Sequence, residues 1–493
     1  MKTNNLRDHL LAALAVLPGT REFHLHTLVS APRKSNSLFP FAKPKPPRVY
    51  VQDILLILSE QASPDAPRII VSAVEACVYM NPTTSCAVFY VSKVDSTGQA
   101  MKPSPTATLV RALIEWYVNP KTRPVDADHV WVQLFARAQA QYLFPNSNEW
   151  SGKEPLSDTK LCAWWKRLLT RVAEGVEGLA TTEGEKEKMK LKLYYVLPGY
   201  NETEAEHALR IASSSLPETN TRLQWVYGHP YSQSEIPLPC PPDTSEEKIK
   251  NLGHLIPYFE DDPKSRFMDE IAYTTDGEIR SPVRKRARTM NGATEDKGPP
   301  VSTNNTTEDG KPLGELGKVT ADEFWERMSF RQECVAGAVT GFFTMMVSWR
   351  KEGRSGELPL APETGQVAGQ VHKRVMTTLL TGVEFSTVER AAKGTETVES
   401  AIRGLCEGIA SRERARTPER RLLAPPQTPP RTQRTAMEIS PNPFPEPAAS
   451  LGIYLSHIYG SVGTRNAVEE RKTEGPQVVQ VLHVRRRNKA VPL

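Results

Sequence analysis

The sequence predicts an α/β fold built on a mixed central β-sheet surrounded by helices. Three observations carry that reading. RIIVSAVEACVYM (68–80) and CAVFYVSKVD (86–95) are β-branched runs bounded by turn signals, as strands are. TATLVRALIEWYVN (106–119) then spaces its apolar residues as one helical face. HVWVQLFARA (129–138) returns to strand character, and strands alternating with helices build a sheet with helices packed on it.

In chain order, residues 5–17 have the apolar spacing of a first helix. LFPFAKPKPPR (38–48) is a Pro-rich loop, and VYVQDILLILSEQ (49–61) reads as an apolar strand or a short buried helix. Asn81-Pro82 separates the next two strands. Thr106 and Thr108 are start signals for the helix that follows. Residues 157–173 form a helix carrying Leu161, Trp164, Trp165, Leu168 and Leu169, with Ser157 or Asp158 as N-cap. Glu183 to Lys190 reads as a solvated loop or the lead into strand LKLYYVLPG (191–199). A short strand and turn is expected at 222–231. Residues 321–349 predict an amphipathic helix, with Phe324, Met328 and Cys334 on one face, and then an apolar strand. A weaker helical signal runs from about Val371 to Ile409.

Four segments follow: a core, first part, over 1–275; a disordered basic loop over 276–319; completion of the core over 320–410; and a low-complexity basic, Pro-rich tail over 411–493. The loop contains RKRAR (284–288), which suits nuclear import, contact with nucleic acid, or simply a solvated charge run. Arg485 to Arg487 form a second basic cluster.

With 62 basic and 57 acidic residues, whole-chain charge selects no class of partner. The chain has no Gly-rich dinucleotide fingerprint, phosphate loop, HExxH or GxSxG, which disfavours dinucleotide enzymes, P-loop ATPases, zincins and α/β-hydrolases. The six cysteines form no CxxC pair and lack zinc-finger spacing to His, so they read as reduced core residues of an intracellular protein and no metal is expected. Asp8 and His9 interrupt the N-terminal apolar run, which argues against a signal peptide. No apolar stretch reaches about 18 residues, the length that would span a membrane.

Four local features carry chemistry. SKVDSTG (92–98) leaves a strand end with a Lys, an Asp and hydroxyls, as a ligand edge or an ordinary turn would. FARAQAQYLFPNS (135–147) sets Phe135, Tyr142 and Phe144 among small and amide residues, either to clamp an acyl chain or to close a strand. Trp164-Trp165 point about 100° apart on one helix, so one can be buried while the other lines a cleft. FEDDPKSRF (259–267) concentrates two carboxylates, a Lys and an Arg. Burial would raise a carboxyl pKa there, whereas a solvated turn would leave salt bridges of little worth.

These features, with FWERMSFRQEC (324–334), occur in the order found in the fungal regulator-of-Ty-transposition histone acetyltransferases, which this chain resembles over roughly residues 1–350. That family shares the fold of the CREB-binding-protein acetyltransferases. The resemblance implies transfer of acetyl from acetyl-CoA to lysines of histone H-three, in histone H-three–H-four dimers presented by histone chaperones in the nucleus, in support of chromatin assembly, replication and genome stability. It places Val94, Asp95 and Ser96 on one wall of the cofactor site. Pro103, Ser104, Pro105, Thr106 and Ala107 lie against the pyrophosphate at a helix N-terminus. Phe135, Gln139 and Tyr142 line the pantetheine or acetyl end; Gln139 departs from the alanine of a budding-yeast member of the family. Glu154, Pro155 and Leu156 contact the cofactor, Trp164 packs on it, and Trp165 borders the lysine channel. Asp261 and Asp262 are the acidic pair, with Asp262 the expected proton acceptor and Lys264 the auto-acetylated lysine; Asp95 and Trp165 complete the catalytic set.

Such groups suit the reaction. A substrate lysine of pKa about 10.4 is a free amine in only about one molecule in 10³ at neutral pH. A nearby carboxylate can take its proton, and aromatic walls lower its pKa by desolvation. Neither a metal nor a covalent cysteine intermediate is needed. A non-catalytic chromatin adaptor retaining the fold is the alternative, against which the retained Asp95, Trp165, Asp262 and Lys264 argue. Binding of nucleic acid through the basic loop is a weaker one, because charge is nearly balanced over 1–270.

Overall fold

The computed structural model describes residues 5–43, 45–213, 223–240, 251–275, 278–279, 314–335, 338–350, 360–407, 444 and 446–467. RKRAR (284–288), Arg485 to Arg487 and most of the expected loop and tail lie outside these residues.

The strands are β1 (Gly19–Val29), β2 (Arg33–Ser35), β3 (Val49–Gln61), β4 (Ile69–Asn81), β5 (Cys86–Ser96), β6 (His129–Ala136), β7 (Lys190–Val196), β8 (Trp225–Tyr227), β9 (Gly341–Ser348) and β10 (Tyr459–Asn466). They form one ten-stranded sheet in the order β10-β1-β3-β4-β5-β6-β9-β7-β8, with β2 also pairing β3. The sheet is mixed: β5–β6 and β7–β8 run parallel and the other pairs antiparallel. A parallel pair needs a crossover, and α2 (Thr106–Val118) supplies it between β5 and β6.

Period-two alternation decides which face each side chain joins. In β3, Ile54, Leu56 and Leu58 face a core shared with α1 (Leu6–Leu14), α2, α3 (Asp158–Leu179) and α4 (Glu202–Ser213). Leu55 and Ile57 face the opposite side, under α7 (Gly369–Thr381) and α8 (Val388–Cys406). Farther along that side, Tyr90, Trp131, Phe342 and Met346 pack with Phe267 of α5 (Pro263–Tyr273) and with Phe324 and Met328 of α6 (Ala321–Met328). Each fully buried aliphatic or Phe side chain is worth about 1.5–3 kcal/mol. Glu75 stands between Ala73 of one cluster and Cys77 of the other and remains partly exposed.

Three expectations need correction. Within the expected 411–493 tail, β10 pairs antiparallel with β1, from Gly19↔Asn466 to His26↔Tyr459, and closes one sheet edge. Residues 314–319 of the expected 276–319 loop are packed: Leu316 and Val319 are buried, and Leu252 N donates to Leu316 O at 3.2 Å. Phe324 and Met328 share the buried face of α6, but that helix ends before Cys334, which lies in a separate turn at Gln332–Val335. All six cysteines are free thiols, Cys77 and Cys334 half-buried and the rest buried. Among the described residues no helix is long and apolar enough to cross a membrane, and no cluster of His, Cys, Asp and Glu could hold a metal ion.

Candidate active site

The parallel pairing of β5 and β6 ends at Val91↔Leu134. Just beyond, Glu75 pairs with Lys93 while Ala76 pairs with Val91, so Ser92 is an extra residue in β5. Such a bulge bends and twists its strand. A cavity of about 400 Å³ opens where the two strands cease to pair, at their C-terminal ends. Open α/β sheets take their ligands in this position.

Four chain segments wall the cavity. Val94, Asp95 and Ser96 line it from β5, and Ser104, Thr106 and Ala107 from the start of α2. Phe135 lines it from the end of β6 and Gln139 and Tyr142 from the loop beyond, and Glu154, Pro155 and Leu156 lead into α3, which contributes Trp164 and Trp165. The two indoles meet edge-on, 4.7 Å apart and 78° inclined; Trp165 is buried and Trp164 half-buried. Phe135 is fixed from behind by Phe342, 4.8 Å away. The Tyr142 hydroxyl donates to Arg137 O, and burial pushes its pKa up to about 12.

Pro103 and Pro105 do not line the cavity, and Pro103 is exposed. Pro103 turns its carbonyl to Arg21, and Pro105 is the buried N-cap residue of α2. Pro105 offers no side-chain cap, and Ser104 Oγ accepts Thr106 N at 3.4 Å; Ser104, Thr106 and Ala107 of this helix start line the cavity. Glu154 reaches only an exposed 3.8 Å ion pair with Lys102, of the kind that contributes little.

Asp95 is expected to take part in catalysis, but its carboxylate points into the protein. Oδ2 accepts the N–H groups of Tyr142, Leu143 and Phe144 at 2.7, 2.8 and 3.3 Å. Oδ1 accepts Ser96 N at 2.8 Å and faces Lys153 Nζ at 3.0 Å. Five donors occupy its lone pairs, so it anchors the 142–144 turn and does not receive a substrate proton. Lys153, whose Nζ also donates to Ser147 Oγ at 2.7 Å, lines the cavity and was missed in the sequence, where a lone Lys in a polar turn makes no pattern.

The acidic pair divides. Asp262 is fully buried, and neither it nor Lys264 lines the cavity. Asp262 Oδ1 caps α5 by accepting Lys264 N at 2.9 Å, and Oδ2 lies 3.0 Å from Lys264 Nζ. Burial raises the Asp262 pKa, and the Lys264 ammonium and the bonds it brings pull it back down. Lys264 Nζ sits over Phe342 at 5.0 Å and Phe259 at 5.9 Å. Asp261 is exposed: Oδ2 accepts from Ser92 Oγ at 2.5 Å and meets Lys93 Nζ at 3.3 Å, and Oδ1 accepts from the Tyr90 hydroxyl at 3.2 Å. Ser92 and Lys93 both line the cavity. Asp262 was the expected proton acceptor; neither aspartate lines the cavity, but Asp261 is bonded to the lining residues Ser92 and Lys93, whereas capping turns the Asp262 carboxylate inward onto Lys264. Tyr90, stacked 3.8 Å over Phe259, has its pKa raised well above the ordinary value by burial and by both aspartates, so it stays a donor.

The model of the histone acetyltransferase KAT11-type domain matches residues 9–122 and 119–401. Histone acetyltransferase rtt109 of Aspergillus flavus is 30% identical over 350 residues, covering 68% of this chain and 55% of that protein. Histone acetyltransferase rtt109 of Schizosaccharomyces pombe is 25% identical over 266 residues, covering 53% of each. The chain thus spans about half the length of these curated relatives. The crystal structure of Rtt109 from Aspergillus fumigatus superposes with a TM-score of 0.58 at 22% identity, over 80% of this chain and 96% of that one, a likeness of fold.

Proposed function

The chain belongs to the histone acetyltransferase KAT11-type family, and from that premise we propose that it is a histone lysine N-acetyltransferase that takes acetyl-CoA into the β5–β6 cleft. One observation carries this reading: the cleft where β5 and β6 cease to pair is lined both by the aromatics Phe135, Tyr142, Trp164 and Trp165 and by Ser104, Thr106 and Ala107 at a helix start. An apolar acyl-pantetheine arm suits the first part and a diphosphate the second. Val94, Ser96, Phe135, Tyr142, Leu156 and Trp164 would hold the arm, with Ser104, Thr106 and Ala107 at the phosphates. Bound acetyl-CoA would supply an acetyl group activated as a thioester.

The chain's own residues then have three tasks. Trp164, Trp165 and Phe135 exclude water and desolvate the incoming lysine, which lowers its pKa. Asp261, oriented by Tyr90 and Ser92, accepts the ammonium proton at a carboxylate oxygen. Asp262 and Lys264 hold the start of α5, and so Asp261, in place. Cys162 takes no nucleophilic part: it is fully buried, and burial pushes its thiol up to about 12.

The finer reading rests on the family likeness. The acceptors are lysines in the core and tail of histone H-three, in H-three–H-four dimers presented by histone chaperones, and the work supports chromatin assembly, replication and genome stability. Nuclear residence is supported by RKRAR (284–288) as an import cluster. The family likeness also supports Lys264 as an acceptor of acetyl transferred by the chain itself, at an ammonium that rests buried against Asp262 outside the cleft lining. Acetylation would remove its charge and leave Asp262 without a counter-ion.

Isothermal calorimetry with acetyl-CoA tests the site. Binding by the unaltered chain, weakened roughly ten-fold or more in Trp164→Ala, is expected from the loss of a cleft-lining aromatic. No heat of binding in the unaltered chain would contradict the proposal.

A further inference from the structure

Behind the cleft, outside its lining, lies a buried ion pair unused by the chemistry above. Arg21 of β1 and Glu60 of β3 have side chains 0% and 3% exposed, with Arg21 Nη1 3.3 Å from Glu60 Oε2. Their remaining hydrogen bonds go to one place. Arg21 Nη1 donates to Met101 O at 2.8 Å and Nη2 to Pro103 O at 2.9 Å. Glu60 Oε1 accepts Met101 N at 3.0 Å. Three backbone groups of a single turn, residues 101–103, are therefore held by two charged side chains of the sheet. That turn runs directly into Ser104, Thr106 and Ala107, which line the cleft.

Stability alone does not account for such a pair. A buried ion pair is costly to desolvate, and well-packed apolar residues in its place are often neutral or better. What apolar residues cannot do is fix a turn by its carbonyls and an N–H. A planar guanidinium reaches two carbonyls and a carboxylate at once, which a lysine ammonium does less well.

We propose that Arg21 and Glu60 are positioning residues for the donor substrate. They set the 101–107 turn so that the start of α2 meets the diphosphate of acetyl-CoA, which rests on the acetyl-CoA reading above. Their effect passes through the turn, and it belongs to the nucleotide end of the donor alone.

The test is steady-state kinetics on the full chain with two donors, acetyl-CoA and S-acetyl-pantetheine, which lacks the nucleotide diphosphate. Two variants are compared with the unaltered chain: Arg21→Lys, and the paired Arg21→Met/Glu60→Gln, which leaves no unpaired buried charge. KM for acetyl-CoA should rise roughly ten-fold in both, the scale of a helix-terminus contact to an anion, with kcat within about two-fold. kcat/KM for S-acetyl-pantetheine should stay unaltered. A paired variant that melts with the unaltered chain and keeps its KM for acetyl-CoA would overturn the proposal, as would equal losses on both donors. Failure of the unaltered chain to bind acetyl-CoA in calorimetry would instead overturn the reading beneath it.

Discussion

Asp262 Oδ2 and Lys264 Nζ stand 3.0 Å apart at the first turn of α5, their side chains 0% and 4% exposed. The pair is closed off by Phe259 and Phe342. Removing one partner of such a pair leaves an uncompensated buried charge and typically costs about 3–5 kcal/mol. Lys264→Met should lose that much in urea unfolding near neutral pH, and adding Asp262→Asn should restore at least half. The loss should also depend on pH. Burial already raises the Asp262 pKa, and Lys264 is the first group pulling it down. Without Lys264 the folded carboxyl binds its proton to higher pH than the unfolded one, near 3.9. The folded variant then holds more protons over that window, so its stability falls as pH rises through it. Unfolding of Lys264→Met at pH 5 and pH 8 checks the sign.

β10 and the helical turn Tyr454–Ile458 that leads into it are held to β1 partly by two histidines. His26 Nε2 lies 3.0 Å from the Tyr454 hydroxyl and His24 Nδ1 2.9 Å from that of Tyr459. Burial and Arg68 lower the His26 pKa to about 3 and that of His24 to about 4. For a histidine with a depressed folded pKa, the unfolded chain binds the extra proton first. Stability is therefore full above about 6.5 and declines as pH falls toward the folded value, by on the order of 3 kcal/mol at pH 4 for His26. His26→Gln should flatten this decline. Hydrogen exchange of the 459–466 amides at pH 7 and 4.5 would show it; an equally steep acid loss in the variant would contradict it.

Asp95 joins β5 to the 142–144 turn and to Lys153. Asp95→Ala would take this acceptor from four N–H groups and an ammonium, at about 1–3 kcal/mol for each buried group left unpaired. KM for acetyl-CoA should rise by roughly one to two orders of magnitude, with kcat changed less, since Asp95 shapes a wall and touches no transferred proton. A pure kcat effect with unaltered KM would argue that Asp95 acts on the reaction itself.

Much of this fold is legible in the sequence where apolar period and turn chemistry agree. The strands at 69–81, 86–96 and 129–136 and the helix at 106–118 fall within a few residues of expectation. β1 is not legible, because its buried positions include Arg21, His24 and His26, polar residues made tolerable only by partners elsewhere in the chain. β10 is hidden for a related reason: a short, glycine-bearing strand in a polar region acquires its ladder from β1. α4 (ETEAEHALRIAS) buries only Ala205 and Leu209, so its apolar stripe is faint. The cleft-facing residues were grouped by family likeness more than by pattern, and that grouping could not show orientation. Which of two adjacent aspartates is bonded to the cleft residues Ser92 and Lys93 depends on Asp262 capping α5, a matter of one peptide unit.

The central claim is acetyl transfer through a cleft whose proton acceptor is Asp261. Its most direct test is transfer of labelled acetyl from acetyl-CoA to histone H-three–H-four dimers, with a histone chaperone present, by the unaltered chain beside Asp261→Asn. Measurable transfer by the unaltered chain, reduced by roughly 10²–10⁴ in a well-folded Asp261→Asn, is the predicted result. No transfer by the unaltered chain, or full activity in Asp261→Asn, would contradict it.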